Sequence, residues 1–349
     1  MTTKYYKISD VTSRQNIKIL EAAGEIIHRG GLVVFPTETV YGLGGDATSA
    51  TSARAIYAAK GRPADNPLII HVARPEDATQ YTRTNAVFDR LAAAFMPGPL
   101  TVILPSLPSI PLEVRAGLDT VAVRCPSHPV ANAFIRAAGV PIAAPSANLS
   151  GKPSPTSADD VRDDMDGRVD MILDGGESAV GLESTIVKVE DDGSLLLLRP
   201  GAITLADLAL VCDRITVAPA VTAKLAEGEK VLSPGMKYRH YAPEAPVTLL
   251  GGNFDEIVSY LRLREGKIAV IAYDEDVSCL RGALPHQDVY AFGARDDLAR
   301  QAHLLFHLLR DIDKKHYDAI YAPVPPKEGM GLALYNRMIR AAAHQIIIF

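Results

Sequence analysis

The strongest constraint on the fold is an alternation of short apolar runs with helix-like stretches, which occurs on both sides of an irregular segment at 213–246. Before that segment, β-branched and aliphatic runs are bounded by Gly or Pro, which predicts strands. They are expected at 32–35, 68–72, 101–104, 120–124, 171–173, 185–189 and 195–198. Apolar residues at helical spacing predict helices at 15–29, 51–59, 85–95, 129–138 and 156–165. This part should therefore form an α/β or α+β domain with a sizeable sheet.

A second alternation starts near residue 247 and continues for about 100 residues. Strands are expected at 247–250, 268–273, 289–292 and 319–322, with helices at 254–264, 296–313 and 332–344. This order predicts a small parallel sheet flanked by helices, Rossmann-like in the loose sense. No GxGxxG follows its first strand, so dinucleotide binding there has no support. We predict domains at 1–215 and 247–349, joined by a linker at 216–246.

The predicted linker has an unusual composition. A featureless linker would be rich in Gly and Ser, or in Pro. Here a lysine, an arginine, a histidine and two tyrosines occupy the five positions 237–241. Such a cluster predicts a segment that docks on another surface.

Composition narrows the class of protein. The 349 residues are 48% hydrophobic and 22% charged, as in ordinary soluble globular proteins. No apolar run approaches the ~20 residues of a membrane span, and the first residues lack the layout of a signal peptide. The three cysteines are too far apart for a CxxC zinc knuckle, and a disulfide framework is not expected. We therefore expect a cytoplasmic protein without a membrane segment.

Net charge argues against a general affinity for nucleic acid. Residues 1–217 contain 20 basic and 25 acidic residues, and residues 218–349 contain 16 of each. Binding driven by counterion release needs an excess of positive charge, which neither part has. A local basic groove stays open as an alternative.

Four polar segments follow predicted strands or lie in loops, where α/β folds usually place function. They are PTETVYGLG at 36–44, KGRP at 60–63 before a strand ending in His71, APSANLSGKPS at 144–154, and EST at 183–185 with RPG at 199–201. Each has an ordinary structural explanation, such as a capped turn, cations at a helix C-terminus or a sheet histidine. The acidic run at 159–166 lacks EF-hand spacing and is predicted to be a solvated helix face.

Taken together, the four segments favour an anion site. Lys60 and Arg62 are one residue apart and can converge on a polyphosphate, one as a point charge and the other as a fork. The Ser/Gly-rich loop offers hydroxyls and backbone amides to phosphate or ribose oxygens. Since no GxxxxGK[ST] is present, residue chemistry alone predicts an anion or nucleotide site and no particular reaction.

At these same segments the sequence resembles the threonylcarbamoyl-AMP synthases of the Sua5/YrdC family. The matching strings are PTETVYGLG (36–44), KGRPADNPLIIHV (60–72), PGPLT (97–101), VAVRCP (121–126), PSANLSG (145–151), ESTIV (183–187) and RPG (199–201). They occur in the family's order, and SPGMKYRHYAP (233–243) is similar to the linker of the long Sua5 form. The resemblance implies a YrdC-like twisted α/β sheet with a concave, positively lined cavity, followed by a small Rossmann-like parallel-sheet domain.

The resemblance also implies a reaction. L-threonine, bicarbonate and ATP would give L-threonylcarbamoyl-adenylate and pyrophosphate, the first step of t6A formation at position 37 of tRNA, which makes the chain a nucleotidyltransferase. Mg²⁺ would act with ATP and be held mainly by its phosphates, with no protein metal site. The product would pass to the tRNA threonylcarbamoyl transferase machinery, and direct tRNA binding would be weak.

Site residues follow from the same resemblance. ATP would be contacted by Lys60, Arg62, Asn66, Thr120, Ser146, Asn148, Ser154 and Arg199, and from the linker by Tyr238 and Tyr241. Threonine would be held by Thr39, His71, Arg124 and Ser184. Lys60 and Arg62 are the expected catalytic residues, because negative charge develops on the phosphates and electrostatic positioning dominates such transfers. The linker segment 233–243 is expected to act as a lid that protects the adenylate from water.

Two other functions use the same features. A non-enzymatic double-stranded RNA-binding protein could use a concave basic surface for shape recognition, although the acidic balance of 1–217 counts against it. A carbamoyl-phosphate-processing domain like those of hydrogenase maturation shares the core motifs, but those proteins also carry zinc-finger segments that these cysteine spacings exclude.

Overall fold

The computed structural model describes residues 2–223 and 241–349, which divide into two compact units. The first unit comprises the described residues of 2–150 and 154–223, and the second comprises 151–153 and 241–349. The α/β class predicted for both parts is confirmed. Residues 151–153 belong to the second unit although no sequence pattern indicated it. The predicted boundaries at 215 and 246 stay predictions, since most of 216–246 lies outside the described residues.

The first unit is built on one eleven-stranded mixed sheet. Its strands are β1 (Lys4–Lys7), β2 (Val33–Phe35), β3 (Gly42–Asp46), β4 (Ile69–His71), β5 (Leu100–Pro105), β6 (Thr120–Arg124), β7 (Ile142–Ala143), β8 (Met171–Asp174), β9 (Thr185–Val189), β10 (Leu195–Arg199) and β11 (Ile215–Val217). Their order across the sheet is β1-β8-β2-β3-β7-β4-β6-β5-β9-β10-β11. Neighbours β5 and β6 are antiparallel, whereas β4 and β6, and β5 and β9, are parallel.

Helices of the first unit start where the sequence provides capping side chains. They are α1 (Arg14–His28), α2 (Ala50–Lys60), α3 (Ala86–Phe95), α4 (Leu112–Arg115), α5 (Pro129–Ala138), α6 (Ala158–Met165) and α7 (Leu205–Ala209), with 3-10 turns at Pro75–Gln80 and Pro219–Val221. Ser13, Ser49 and Ser157 accept hydrogen bonds from first-turn amides of α1, α2 and α6. These caps satisfy amide groups that have no partner inside the helix.

All seven strands and five helices predicted for this unit are present, and four further strands are not predicted by the sequence. The additional strands are β1, β3, β7 and β11. Three of the five residues of β3 are glycines, which strands disfavour, and β7 has two residues. The main core lies where α1 and α5 pack together over β2 and β8, around Ile27, Phe35, Phe134 and Leu173.

The second unit contains the predicted parallel sheet. Its strands are β12 (Val247–Gly251), β13 (Ile268–Ala272), β14 (Asp288–Ala291), β15 (Ala319–Pro323) and β16 (Ile346–Ile348), in the order β14-β13-β15-β12-β16. All pairs are parallel. Its helices are α8 (Phe254–Arg262), α9 (Asp274–Ala283), α10 (Leu298–Asp313) and α11 (Met330–Ala341). The sequence did not predict α9 or β16. Within the two described ranges, no helix is long and apolar enough to cross a membrane.

Candidate active site

Two of the polar segments run side by side. The backbone amide of Leu43 donates to Pro145 O at 2.9 Å, and that of Ala147 donates to Tyr41 O at 2.8 Å. The amide of Tyr41 donates in turn to Pro155 O at 3.0 Å. The 36–44 segment is therefore fixed along both ends of the Ser/Gly-rich loop.

Lys60 ends α2 and points back into that loop. Gly61 follows with a φ of 62°, a left-handed conformation that glycine adopts without strain, and it ends the helix there. The Lys60 side chain is 3% exposed. Its Nζ donates to Asn148 O at 2.6 Å and to Ser146 O, and the Lys60 carbonyl accepts from Ser150 N at 3.0 Å. A buried ammonium group thus lies against the loop.

Ser146 and Asn148 complete this Lys60 cluster, which we define as Lys60, Ser146 and Asn148. Ser146 Oγ donates to Asn148 Oδ1 at 2.5 Å, and Asn148 Nδ2 donates to Leu149 O at 2.8 Å. The two polar side chains predicted to contact ATP therefore orient each other beside the ammonium group.

Arg62 and Asn66 lie on the next turn of the chain. Arg62 Nη2 donates to Asn66 O at 3.1 Å and to Pro67 O at 3.2 Å. The Asn66 side chain is fully buried, and neither its amide oxygen nor its nitrogen has a hydrogen-bond partner among the described residues. A buried unsatisfied amide costs about 1–3 kcal/mol, so this group indicates a ligand position.

A second group of polar residues crosses the sheet at the ends of β4, β6 and β9; we call it the Arg124 cluster, comprising Glu38, His71, Thr101, Arg124, Ser184 and Arg199. Arg124 is paired in register with His71 on β4 and with Thr101 on β5. The Thr101 and Ser184 hydroxyls are 2.7 Å apart, and Arg199 Nη2 donates to Ser184 Oγ at 3.1 Å. Two arginines predicted to bind different substrates thus flank one pair of hydroxyl groups.

Arg124 is held by a buried carboxylate. Its Nη2 lies 2.7 Å from Glu38 Oε1, with side-chain exposures of 5% and 10%, in an ion pair rather than an aligned hydrogen bond. Nε donates to Gly98 O at 3.4 Å. Taking both charges out of water is costly, and their mutual attraction offsets that cost only while both are present.

His71 is buried in its neutral form. Burial, followed by the positive charge of Arg124, lowers its pKa to about 3. Nδ1 lies 3.3 Å from Ile142 O, and because a carbonyl only accepts, Nδ1 carries the proton. Nε2 is then left as a hydrogen-bond acceptor at neutral pH.

Further hydroxyl groups adjoin the two clusters. Ser154 Oγ donates to Glu183 Oε1 at 2.5 Å. Thr39 Oγ1 lies 2.8 Å from Thr37 Oγ1, which donates to Val40 O. At the turn after β10, a Cβ on Gly201 would lie 2.5 Å from Thr185 N, so the RPG turn can pack on the EST segment only with glycine there.

Comparison with known proteins adds a separate observation. A family model described as "Telomere recombination" (Sua5_yciO_yrdC) matches residues 25–201, and one described as "Threonylcarbamoyl-AMP synthase, C-terminal domain" matches 203–343. A threonylcarbamoyl-AMP synthase of Bacillus subtilis is 42% identical over 99% of this chain and all of its own length. The chain belongs to the Sua5/YrdC family of threonylcarbamoyl-AMP synthases.

Solved structures of the family share the fold. The crystal structure of Pyrococcus abyssi Sua5 complexed with L-threonine is 39% identical, with a TM-score of 0.88, and the match covers 99% of this chain and 100% of that one. A variant of the same protein carrying two substitutions also has a TM-score of 0.88. The resemblance found in the sequence, including the Sua5 form, is therefore confirmed.

Seven of the fourteen predicted Sua5/YrdC site residues belong to the two clusters, and Thr39, Arg62, Asn66 and Ser154 follow or adjoin them. The other three, Thr120, Tyr241 and Tyr238, do not. Thr120 starts β6, four residues and roughly 13 Å from Arg124 at the other end of the strand. Tyr241 packs within the second unit, where its ring centroid is 5.2 Å from that of Phe306. Tyr238 lies outside the described residues. The ligand assigned to each predicted residue stays a prediction.

Sequence reasoning missed several residues of the site. Glu38, Thr101 and Glu183 lie inside the family strings, yet their residue types gave no reason to select them before their partners were known. The solvated helix face predicted for the acidic run is wrong in part, because Asp160 and Asp164 of α6 are buried. Asp164 Oδ2 accepts from Leu149 N at 3.3 Å and so supports the Lys60 cluster from behind.

Proposed function

We propose that the chain synthesises L-threonylcarbamoyl-adenylate from L-threonine, bicarbonate and ATP, with release of pyrophosphate, as the first step of tRNA t6A37 modification. Family membership makes it an enzyme of the threonylcarbamoyl-AMP synthase type. The observation that carries the proposal is the burial of Lys60, Arg124 and Arg199 in a unit with excess acidic residues. Buried cations are costly, and converging ones suit anionic substrates.

On the nucleotide side, the Lys60 cluster and Arg62 would hold ATP. The Lys60 ammonium group offers a point charge to a phosphate, and Arg62 offers a fork on the adjacent loop. The unsatisfied amide of Asn66 supports a ligand at this position. Ser154, Arg199, Thr120 and Tyr241 are proposed as further ATP contacts.

On the amino-acid side, Arg124 would bind the threonine carboxylate. Its contacts with Glu38 and Gly98 use Nη2 and Nε, which leaves the other donors of the guanidinium fork to a second carboxylate. Neutral His71 would accept from the threonine hydroxyl through Nε2, and leaving that acceptor unpaired would reject valine. Thr39 and Ser184 would complete the pocket.

The chemistry follows from this arrangement. The unprotonated amine of threonine captures bicarbonate-derived CO₂ as a carbamate, whose oxygen bonds to the α-phosphorus of ATP as the bond to pyrophosphate breaks. Lys60 and Arg62 stabilise the charge that develops on the phosphates, and no protein nucleophile is required.

Mg²⁺ is proposed to enter with ATP as part of the substrate. Among residues 2–223 and 241–349, no group of three or more His, Cys, Asp or Glu side chains is positioned to hold a metal ion. We place its ligands on phosphate oxygens and water, where the ion would neutralise charge on the departing pyrophosphate.

The proposal extends to partners. The labile adenylate would be made in the cytoplasm and pass to the tRNA threonylcarbamoyl transferase machinery, with weak direct contact to tRNA. The linker segment 233–243 is proposed as a lid over the reaction, although 233–240 lies outside the described residues.

Pyrophosphate release tests the function. We expect release to require threonine and bicarbonate together, and Lys60→Ala to lower kcat/KM by about 10²–10³-fold, the size of effect typical of removing one electrostatic stabiliser. Lys18→Ala, at an exposed lysine of α1, is the matched control and should keep full activity. Release without threonine, or an active Lys60→Ala variant, would contradict the proposal.

A further inference from the structure

The topology of the second unit creates a crevice at one edge of its sheet. From β12 to β13 and β14 the chain moves in one direction across the sheet, and from β14 to β15 and β16 its net movement is in the other. Right-handed crossovers then put α8 and α9 on one face and α10 and α11 on the opposite face, in agreement with the contacts between the helices of each pair. Neighbouring strands whose connections leave to opposite faces open a crevice at their carboxyl ends, the usual ligand position in such sheets.

A cavity lies at that place. Its volume is about 190 Å³, and it is lined by the carboxyl ends of β12, β13 and β15 together with α8 and α9. The side chains that line its interior are apolar, namely Leu250, Ile257, Leu261, Val270 and Leu280, with the ring of Tyr321. Its polar lining comes from Asp276 on α9 and from Arg295. The topology of the sheet and the cavity therefore indicate the same position independently.

We propose that this cavity binds a small organic cation, with an apolar body about the size of one aromatic ring and an amine head that pairs with Asp276. Size limits the body. An apolar cavity of about 150 Å³ holds benzene, whereas drug-sized ligands need about 300–1,000 Å³. A volume of about 190 Å³ therefore fits one ring and is smaller than a drug-sized site.

Charge around the cavity selects a cation. The first turn of α9 carries Asp274, Glu275 and Asp276, and the first turn of α8 carries Asp255 and Glu256. These carboxylates complement the positive ends of both helix dipoles, where a phosphate would otherwise bind. Asn253 Oδ1 already accepts from two amides at the start of α8. Both helix ends at this edge therefore repel an anion.

Asp276 can exchange its present partner for a ligand. Its carboxylate lies 2.7 Å from Arg295 Nη2, but the arginine side chain is 58% exposed. The Asp276 side chain is 22% exposed. Because water still surrounds the arginine, such a pair contributes about 1 kcal/mol. Arg295 also lies over the ring of Tyr273, 4.4 Å from its centroid, and can keep that contact when it gives up the carboxylate. An ammonium group on an apolar body would pair with Asp276 in a site that holds less water than the present pair with Arg295.

The test uses three probes that share one ring: benzylamine, benzyl alcohol and benzoate. With the full-length protein at neutral pH and titration calorimetry, we expect benzylamine to bind at least about 10-fold more tightly than benzyl alcohol, because hydrogen bonds to charged groups are the stronger ones. Benzoate should bind most weakly. Neither ATP nor threonine should displace benzylamine.

Variants locate the binding. Asp276→Asn should weaken the binding of benzylamine by about 10-fold and leave the binding of benzyl alcohol unchanged. Leu280→Phe should fill the cavity and abolish the binding of both probes. Glu265→Gln, at an exposed carboxylate of the same unit, is the control and should change neither. The proposal would be overturned if benzoate bound more tightly than benzylamine or if no probe bound. It would also be overturned if ATP or threonine displaced benzylamine, or if the Asp276→Asn variant bound benzylamine with full affinity.

Discussion

The two units alternate strands and helices in similar ways but place their buried charges differently. In the first unit, Arg124 and Arg199 lie on sheet strands and Lys60 ends a helix, and all three are at most 6% exposed. In the second unit, strand β13, which lies beside the central strand β15, is apolar throughout, and the buried arginines Arg310, Arg337 and Arg340 lie on helices. Buried charge lies on strands of the first unit, whereas in the described strands of the second unit the charged residue, Asp288, is exposed.

This difference shows where each unit gives up stability. A buried charge in a sheet needs a polar partner close by, as Arg124 has in Glu38 and Arg199 has in Ser184. Natural folds keep such arrangements mainly at functional sites. The second unit keeps its buried arginines on helices and lines its cavity mainly with apolar side chains, with Asp276 among the lining residues, an arrangement that suits binding and does not require bond making.

A large effect on catalysis is expected from replacing a buried arginine that contacts a backbone carbonyl. Arg199 Nε donates to Ser184 O at 2.9 Å, and in the second unit the exposed Arg281 donates through Nη2 to Val289 O at 3.1 Å. Arg199→Lys should lower kcat/KM for pyrophosphate release by about 10²-fold, because lysine cannot reproduce the fork. Arg281→Lys should change kcat/KM for the same reaction by no more than about twofold. Equal effects of the two substitutions would remove the functional distinction between the units.

Stability should differ in the same direction. Glu38→Gln leaves Arg124 buried without a charged partner and should cost about 3 kcal/mol in the first unit. Asp276→Asn breaks a pair whose arginine side chain is 58% exposed and whose carboxylate is 22% exposed, and should cost about 1 kcal/mol in the second. Hydrogen exchange read separately on peptides of each unit measures both values. A loss in Glu38→Gln as small as that in Asp276→Asn would show that the buried pair contributes little.

Much of the fold could be predicted because its pattern is local. Apolar runs at 68–72 and 120–124 and the helical spacing at 129–138 each indicate one element. The strand β3 could not be predicted, since glycines dominate it and its place between β2 and β7 depends on packing. The same holds for β1 and β16, short strands whose partners are distant in sequence.

The site was predicted from sequence motifs that resemble those of the Sua5/YrdC family rather than from residue chemistry. Lys60, Ser146 and Asn148 form one cluster, as expected of residues predicted to contact the same ligand, ATP. Glu38 could not be chosen, because a carboxylate in a turn gives no sign that it will face an arginine four strands away across the sheet. Residue type therefore indicated anion binding, and only the three-dimensional pairing identified the residues that hold the cations in place.

The dependence of stability on pH again separates the units. The pKa of His71 is about 3 in the folded protein, below the value of about 6.5 in the unfolded chain. Its neutral form therefore stabilises the fold above pH 6.5, and that contribution falls by about 1.4 kcal/mol per unit as the pH decreases toward 3. His71→Gln should flatten the slope of the free energy of unfolding of the first unit between pH 6.5 and 5.

The slope should not vanish in that variant, because burial also lowers the pKa of His128. His286→Gln, at an exposed histidine of the second unit, should leave the profile of the first unit unchanged. If His71→Gln kept the full acid slope, the neutral histidine would not be what couples stability to pH. The acceptor that we assign to the threonine hydroxyl would then lose its physical basis.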